Sequence, residues 1–386
     1  MPSLPITSVT KALLRRRASW LEGAAALDGA VDAALDWIER AAAVVDGRGI
    51  SKGYDLLRQR WAPAYPETTG YSIPTLLNAE RVRHRPEIGL LARCVAHYLL
   101  QGATADGAVR HWQAGPAGRP VVFDTGQAIF GWLAAFDATS EQRYLQAAAQ
   151  AGEWLCSIQD KSGAWLQFQH LDVVKVIDTR VAWVLLELNR RSPDESYVKA
   201  AIGILQWAQK QQDADGWFQH CAFSPQENPF THTLAYAAEG LYECGRLLEE
   251  PSMVASARRT ADALLERQRA DGSLASTYGA GWRPTSRSSC LTGNCQMARL
   301  WLRFYETNHD PRYLSAAERA IHYTASTQVL DQSDPNIYGG IAGSYPIGGR
   351  YERLKYPNWA AKFLIDAILT LEKVQTQGTS RLEYVG

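Results

Sequence analysis

Residues 159–165 read Gln159-Asp160-Lys161-Ser162-Gly163-Ala164-Trp165, a polar turn between two helical patterns. Before it, Leu145, Ala148, Ala151, Leu155 and Ile158 recur at the three-to-four-residue spacing of an amphipathic helix. After it, from about Thr179, Val181-Ala182-Trp183-Val184-Leu185-Leu186 is apolar nearly all round, the mark of a helix buried on both sides. Gly163 supplies the positive φ that a sharp helix-ending turn requires. The unit Tyr144 to Leu188 therefore reads as an outer, half-solvated helix, a glycine turn and an inner, buried helix.

The unit repeats. Asp-Gly turns recur at Asp106-Gly107, Asp215-Gly216-Trp217 and Asp271-Gly272-Ser273-Leu274, and the four glycines lie 56, 53 and 56 residues apart. The inner helices start near Gly70, Asp124, Asp178, His232, Thr292 and Asn358, at intervals of 54, 54, 54, 60 and 66 residues. No alternating stretch is long enough for a sheet. Six pairs with a distinct apolar inner set favour a closed ring over an open solenoid. The fold class is all-α, an (α/α)6 barrel spanning residues 19–376, with residues 1–18 and 377–386 as tails.

Composition narrows the function. Forty basic and forty acidic residues give zero formal net charge, which removes the electrostatic case for nucleic acid or an anionic membrane. No apolar run approaches the length of a membrane span, and no apolar segment follows Arg15-Arg16-Arg17 as in a secretory leader, so a cytoplasmic location is the expectation. Thirteen Trp and seventeen Tyr provide core volume and also faces that stack on sugar rings. The six cysteines are dispersed, and the Cys290/Cys295 spacing with His220-Cys221 is a poor zinc pattern, so no metal and no cofactor is expected.

Gln159-x3-Gly163-x-Trp165 resembles the glutamine–tryptophan repeat of squalene cyclases and related prenyltransferase-like toroids, and Gln268-x3-Gly272-x-Leu274 is a second copy. From about residue 30 to 375 the chain also resembles bacterial polysaccharide-biosynthesis proteins of that superfamily. The residues that carry this are Tyr65-Pro66-Glu67-Thr68-Thr69-Gly70-Tyr71-x-Ile73-Pro74, Gly343-Ser344-Tyr345-Pro346 and Tyr356-Pro357-Asn358-Trp359-Ala360-Ala361-Lys362-Phe363. The resemblance implies a toroid acting in surface-polysaccharide synthesis on a glycan or glycan-linked lipid. The architecture is similar as well to six-hairpin glycosidases, N-acylglucosamine 2-epimerases and the C-terminal domain of glucuronyl C5-epimerases, which implies acid–base chemistry on sugars. A cyclase would need adjacent protonating aspartates. Asp213-Ala214-Asp215-Gly216 lies instead in a repeat turn, which weakens an isoprenoid reading.

In such a barrel the inner-helix N-termini converge at one mouth and point free N–H groups into it. The mouth segments thereby nominate candidates for catalysis, Glu67, Asp124, His232, Tyr345 and Glu352, and for substrate binding, Tyr65, Tyr71, Asp178, Arg180, Asn294, Arg350, Tyr351, Asn358 and Trp359. A glycosidase would use two of the carboxylates as acid and as base or nucleophile. A lyase or C5-epimerase would use His232 and a tyrosine, with Arg180 or Arg350 neutralising a uronate. The plainer readings stand beside these. Asp124, Asp178 and Thr231 read as N-caps, Glu67 as a helix-dipole partner, His232 as a buried hydrogen-bonded histidine, and the arginines as partners of Asp178 and Glu352. The insertion Asp334 to Lys355, with five glycines, is placed to fold over the mouth. A non-catalytic glycan-binding protein would present the same aromatic and polar mouth.

Overall fold

The structure, a computed structural model, describes residues 6–15, 17, 24–111 and 118–382. Arg16 and the outer parts of the two expected tails fall outside the described residues. Six inner helices form a ring: α3 (Pro66–Arg83), α5 (Val122–Thr139), α7 (Thr179–Asn189), α9 (Thr231–Leu247), α11 (Leu291–Asn308) and α13 (Asn358–Leu382). Each packs against the next, and α13 packs back on α3. Outside them lie α2 (Ala24–Ala43), α4 (Pro86–Gly102), α6 (Gln142–Ser157), α8 (Glu195–Lys210), α10 (Pro251–Leu265) and α12 (Pro311–Ala325). The protein is an (α/α)6 barrel, and each expected inner-helix start lies within a few residues of the observed one. Helix α1 (Ile6–Leu14) stands apart from the ring; Val9 and Ala12 rest on the core, which gives this part of the expected N-terminal tail its order.

Closure is built from one repeated contact. Gln159, at the end of α6, donates from Nε2 to Gly163 O and to Ala200 O of the next outer helix, both at 2.8 Å. Gln268 does the same to Gly272 O and Ala316 O, at 3.1 and 2.8 Å. Gln212, not singled out from sequence, repeats it to Gly216 O and Ser256 O. Gln328 closes the circle, bonding Gly339 O and Ala30 O of α2, both at 3.0 Å. The turn glycine lies directly on the neighbouring outer helix. A Cβ on Gly163 would sit 2.3 Å from Gly203 O, and one on Gly339 1.9 Å from Ala33 O, so only glycine allows this approach. The glutamine–glycine turn is thus a staple between outer helices.

The core lies between the two helical rings and contains the fully buried Trp132, Trp165 and Trp301. The extended segments are two or three residues long, and they matter because they lie in the loops about the mouth. Strand β1 (Gly53–Asp55) pairs with β2 (Arg60–Trp61) on one side and with β7 (Lys355–Pro357) on the other. Strand β3 (Tyr278–Gly279) pairs with β4 (Arg283–Pro284), and β5 (Ser289–Cys290) with β6 (Ser344–Tyr345). The β1–β7 and β5–β6 ladders stitch the Asp334–Lys355 insertion across the mouth, with Gly343 N donating to Lys355 O and Leu354 N to Ile347 O.

Candidate active site

The mouth opens into a pocket enclosing about 550 Å³, open solvent included. Its wall holds aromatic residues (Tyr65, Phe123, Phe223, Tyr351, Trp359) and charged or titratable ones (Lys52, Glu67, His170, His232, Glu352). Below, Tyr71 and Tyr236 close it. The Arg180 guanidinium stacks on the Tyr236 ring at 4.6 Å, and Lys362 Nζ lies 5.0 Å from the Tyr71 ring. These two cations belong to a buried ionic chain beneath the pocket. Arg180 pairs with Glu239; Arg299 bonds Glu239 at 2.8 Å and Asp366 at 3.1 Å; Lys362 bonds Asp366 at 2.6 Å. The pocket is therefore blind, ending on tyrosines with this ionic chain below them.

Helix capping separates structural from site acids. The outer helices α8, α10 and α12 carry conventional caps: Asp194 accepts from Ser196 N, Glu250 from Ser252 N and Asp310 from Arg312 N. The inner helices α3, α5, α7 and α9 have no side-chain cap bond at their mouth ends. Asp178 occupies the N-cap position of α7, yet its Oδ2 accepts instead from Gln169 Nε2 at 2.8 Å, and its Oδ1 is buried without a protein partner. Asp124 lies in the first turn of α5 with Oδ2 2.8 Å from His111 Nδ1, and its Oδ1 is likewise buried and unpaired. Thr231 Oγ1 donates to Ala275 O. The N-cap reading thus fails for all three, and the two aspartates each keep a lone oxygen.

Burial sets the charges. Glu67 is buried and accepts from the Tyr65 hydroxyl. Desolvation, reinforced by the nearby Asp124 carboxylate, raises its pKa to about 8, so at neutral pH it holds a proton. Desolvation also raises Asp178 to about 7 and moves Asp124 upward, the latter against the opposing pull of His111. Glu352 is half-buried, and desolvation pushes it up as well, but Lys52 at 3.3 Å and Lys355 at 3.0 Å outweigh that and hold it below the ordinary glutamate value. One pocket thus carries a protonated and an ionised carboxyl group. Burial lowers His232 to about 4 and His170 to about 3, so both rings are neutral. With Nδ1 of His232 donating to Gln296 Oε1 at 2.9 Å, its Nε2 is left as the basic nitrogen.

Among the residues nominated from sequence, Tyr65, Glu67, Tyr71, His232, Tyr351, Glu352 and Trp359 line the pocket together. Asp124 and Asp178 lie just behind the wall, fully buried. Five others do not line the pocket. Arg180 is 3% exposed and pairs with Glu239 and Gln127 below the floor, not with Asp178. Arg350 is an exposed partner of Glu227, not of Glu352. Tyr345 faces the other side of the insertion, its hydroxyl donating to Arg15 O at 3.4 Å. Asn294 accepts from Leu274 N and Ser289 Oγ, and Asn358 donates to Ser51 O and Thr68 Oγ1, so both brace the backbone. Sequence reasoning missed Lys52, His111, His170, Phe223 and Tyr236. The first four sit on loops outside the inner-helix starts, and Tyr236 is one turn further into α9. Among the described residues no group of three His, Cys, Asp or Glu is placed to hold a metal; Cys290 instead accepts from Gly293 N at the start of α11.

No family model and no curated protein matches the sequence. Solved structures do match in fold. An unsaturated glucuronyl hydrolase specific for heparin aligns with a TM-score of 0.73 at 14% identity, covering 92% of this chain and 99% of its own. The cellobiose 2-epimerase of Bacillus thermoamylovorans gives a TM-score of 0.68 at 13% identity, covering 89% and 99%. The polysaccharide lyase BACCELL_00875 gives 0.63 at 13% identity, covering 91% and 98%. The chain thus shares over nearly its whole length the (α/α)6 architecture of these three enzymes.

Proposed function

We propose that the protein is a carbohydrate-active enzyme that performs acid–base chemistry on the terminal sugar residue of a glycan. The observation that carries this is the pair of unlike carboxyl groups in one blind pocket: Glu67 protonated by burial, Glu352 ionised by Lys52 and Lys355. Environments that push two carboxyl pKa values apart assign an acid and a base. Glu67 protonates the departing glycosidic oxygen. Glu352 is the ionised partner that activates water or attacks the sugar carbon. Trp359, Tyr351 and Phe223 supply faces for the ring, and the closed floor admits an end residue rather than a continuous strand. The resemblance to hydrolases, an epimerase and a lyase supports sugar chemistry in general. The placing of this activity in polysaccharide synthesis rests on sequence resemblance alone.

A second reading, proton abstraction by His232, is favoured by its bond to Gln296 and by Tyr236 and Tyr351 beside its ring, at centroid distances of 4.4 and 5.2 Å. There His232 Nε2 removes a proton next to a carboxylate and a tyrosine returns one. One experiment separates the readings. Neutral and uronate-containing oligosaccharides are incubated with wild type, Glu67→Gln and His232→Ala, and products are followed by mass spectrometry and NMR. Hydrolysis adds one water per bond cleaved; elimination leaves an unsaturated sugar; epimerisation leaves the mass unchanged. Hydrolysis lost in Glu67→Gln supports the first reading, and elimination or epimerisation lost in His232→Ala supports the second. Binding without any product in wild type overturns both in favour of a glycan-binding protein.

A further inference from the structure

A second, larger hollow adjoins the blind pocket and shares two of its residues, Lys52 and Glu352. It is lined by the Gly53–Trp61 hairpin, by the Lys355–Pro357 strand paired with it, and by Val44 and Val45 beyond the end of α2, with Arg58, Arg60, Trp61 and Lys355 on its wall. Four of its residues are cationic (Lys52, Arg58, Arg60, Lys355) and two anionic (Asp55, Glu352), in a chain whose overall charge is zero. The two acids are already engaged: Asp55 with Arg58 at 3.3 Å, Glu352 with Lys52 and Lys355. Arg60 is exposed and has no ion-pair partner among the described residues. The hairpin is held firm from behind. Trp61 packs on Trp37 with centroids 5.2 Å apart and on Tyr54 at 5.6 Å, and its Nε1 donates to Asn336 Oδ1. The excess positive charge is therefore displayed on a braced, aromatic-backed surface that leads into the blind pocket past the Lys52–Glu352 pair.

We propose that this hollow binds an acidic sugar residue, carrying a carboxylate or sulfate, that adjoins the end residue held in the blind pocket. The inference rests on the glycan reading of that pocket and names its substrate class: an anionic polysaccharide end. Trp61 offers a surface for the sugar, and Arg60 and Arg58 bind its anionic oxygens, Arg60 without first breaking an internal pair.

The test measures binding by calorimetry to wild type, the double variant Arg58→Ala/Arg60→Ala, and Trp359→Ala. The probes are a uronate-containing oligosaccharide, a sulfated oligosaccharide free of uronate, a neutral oligosaccharide and a free neutral monosaccharide. Both arginines are on the hairpin surface, so folding is checked by circular dichroism, and Arg60→Lys serves as a milder second variant. The expected result is a loss of about tenfold or more for acidic oligosaccharides in the double variant, with a shallower salt dependence. The neutral oligosaccharide and the monosaccharide should be unaffected. Whether the uronate or the sulfate probe loses more identifies the anion. Equal loss for acidic and neutral probes, or no loss for either, overturns the proposal while leaving the blind pocket to be judged by Trp359→Ala. Acidic binding that needs the arginines but ignores Trp359→Ala, with no monosaccharide bound, sinks the blind-pocket reading instead and with it the continuity proposed here.

Discussion

Replacing Glu67 by Gln should stabilise the protein at neutral and alkaline pH while disabling it. The amide is nearly isosteric, and its oxygen can still accept from Tyr65. What it lacks is ionisation. Glu67 moves from an ordinary value of 4.5 in the unfolded chain to about 8 in the fold. Below pH 4.5 the group is protonated in both states and contributes no penalty. As pH rises, the unfolded chain releases the proton and the folded chain does not, so stability falls until the folded group ionises near pH 8. Each pH unit in that window costs about 1.4 kcal/mol, so at about pH 7 the wild type has lost about 3 kcal/mol through this one residue. A net stability of about 5–15 kcal/mol makes that loss measurable. Urea unfolding of both proteins at about pH 4.5, 6, 7 and 8.5 should show the two curves separating as pH rises, with the Glu67→Gln variant the more stable. Activity should fall by about 10²–10⁴-fold, the usual worth of a general acid. A stability difference that stays flat from about pH 4.5 to 8.5 would refute the claim that Glu67 is buried and protonated, and the catalytic assignment would lose its basis.

Four further outcomes follow from the same geometry. If Glu67 acts as the acid, kcat/KM should decline above about pH 8, and Asp124→Asn should move that limb to lower pH, because it removes the like charge that raises Glu67; a limb unmoved in the pH–rate profile would separate the two groups. Asp178→Asn should gain stability over wild type as pH rises towards about 7, since this carboxyl too is raised by burial, and parallel pH-dependent curves for variant and wild type in urea unfolding would count against it. Gln328→Ala removes the bond to Ala30 O, which helps tie the last repeat to the first, and the bond to Gly339 O in its own turn; a loss of about 1–3 kcal/mol by chemical denaturation is expected, and a loss below about 0.5 would deny the staple its role. Gly339→Ala places a Cβ 1.9 Å from Ala33 O at a φ of +79° and should cost several kcal/mol or prevent folding, whereas Gly29→Ala, exposed inside α2 with nothing within 4 Å, should gain about 0.5–1 kcal/mol in the same measurement.

Why the ring was legible and the site only partly so has a physical explanation. A barrel of repeated pairs writes its architecture into period and spacing, because every inner helix must be apolar on both sides and every outer one on a single face. The 54-residue interval between Asp124, Asp178 and His232 is the length of one such pair, so these residues mark inner-helix starts whether or not they act. The same regularity exposes what sits at the mouth, and the pocket residues Glu67, His232, Trp359 and Tyr65 were within reach for that reason. Direction within a helix turn was not. Arg180 and Asp178 are two residues apart, yet one points below the floor to Glu239 and the other behind the wall to Gln169. Register at that scale depends on partners such as Glu239, a full repeat away in sequence. Lys52, His111 and His170 escaped because they lie on irregular loops without a repeat to index them. The charge state escaped most completely: a Glu among the mouth residues looks the same protonated or ionised. Only the burial of Glu67 beside Asp124, set against Glu352 beside two lysines, makes the two carboxyl groups unlike, and it is that unlikeness, not the fold, which argues for chemistry in this barrel.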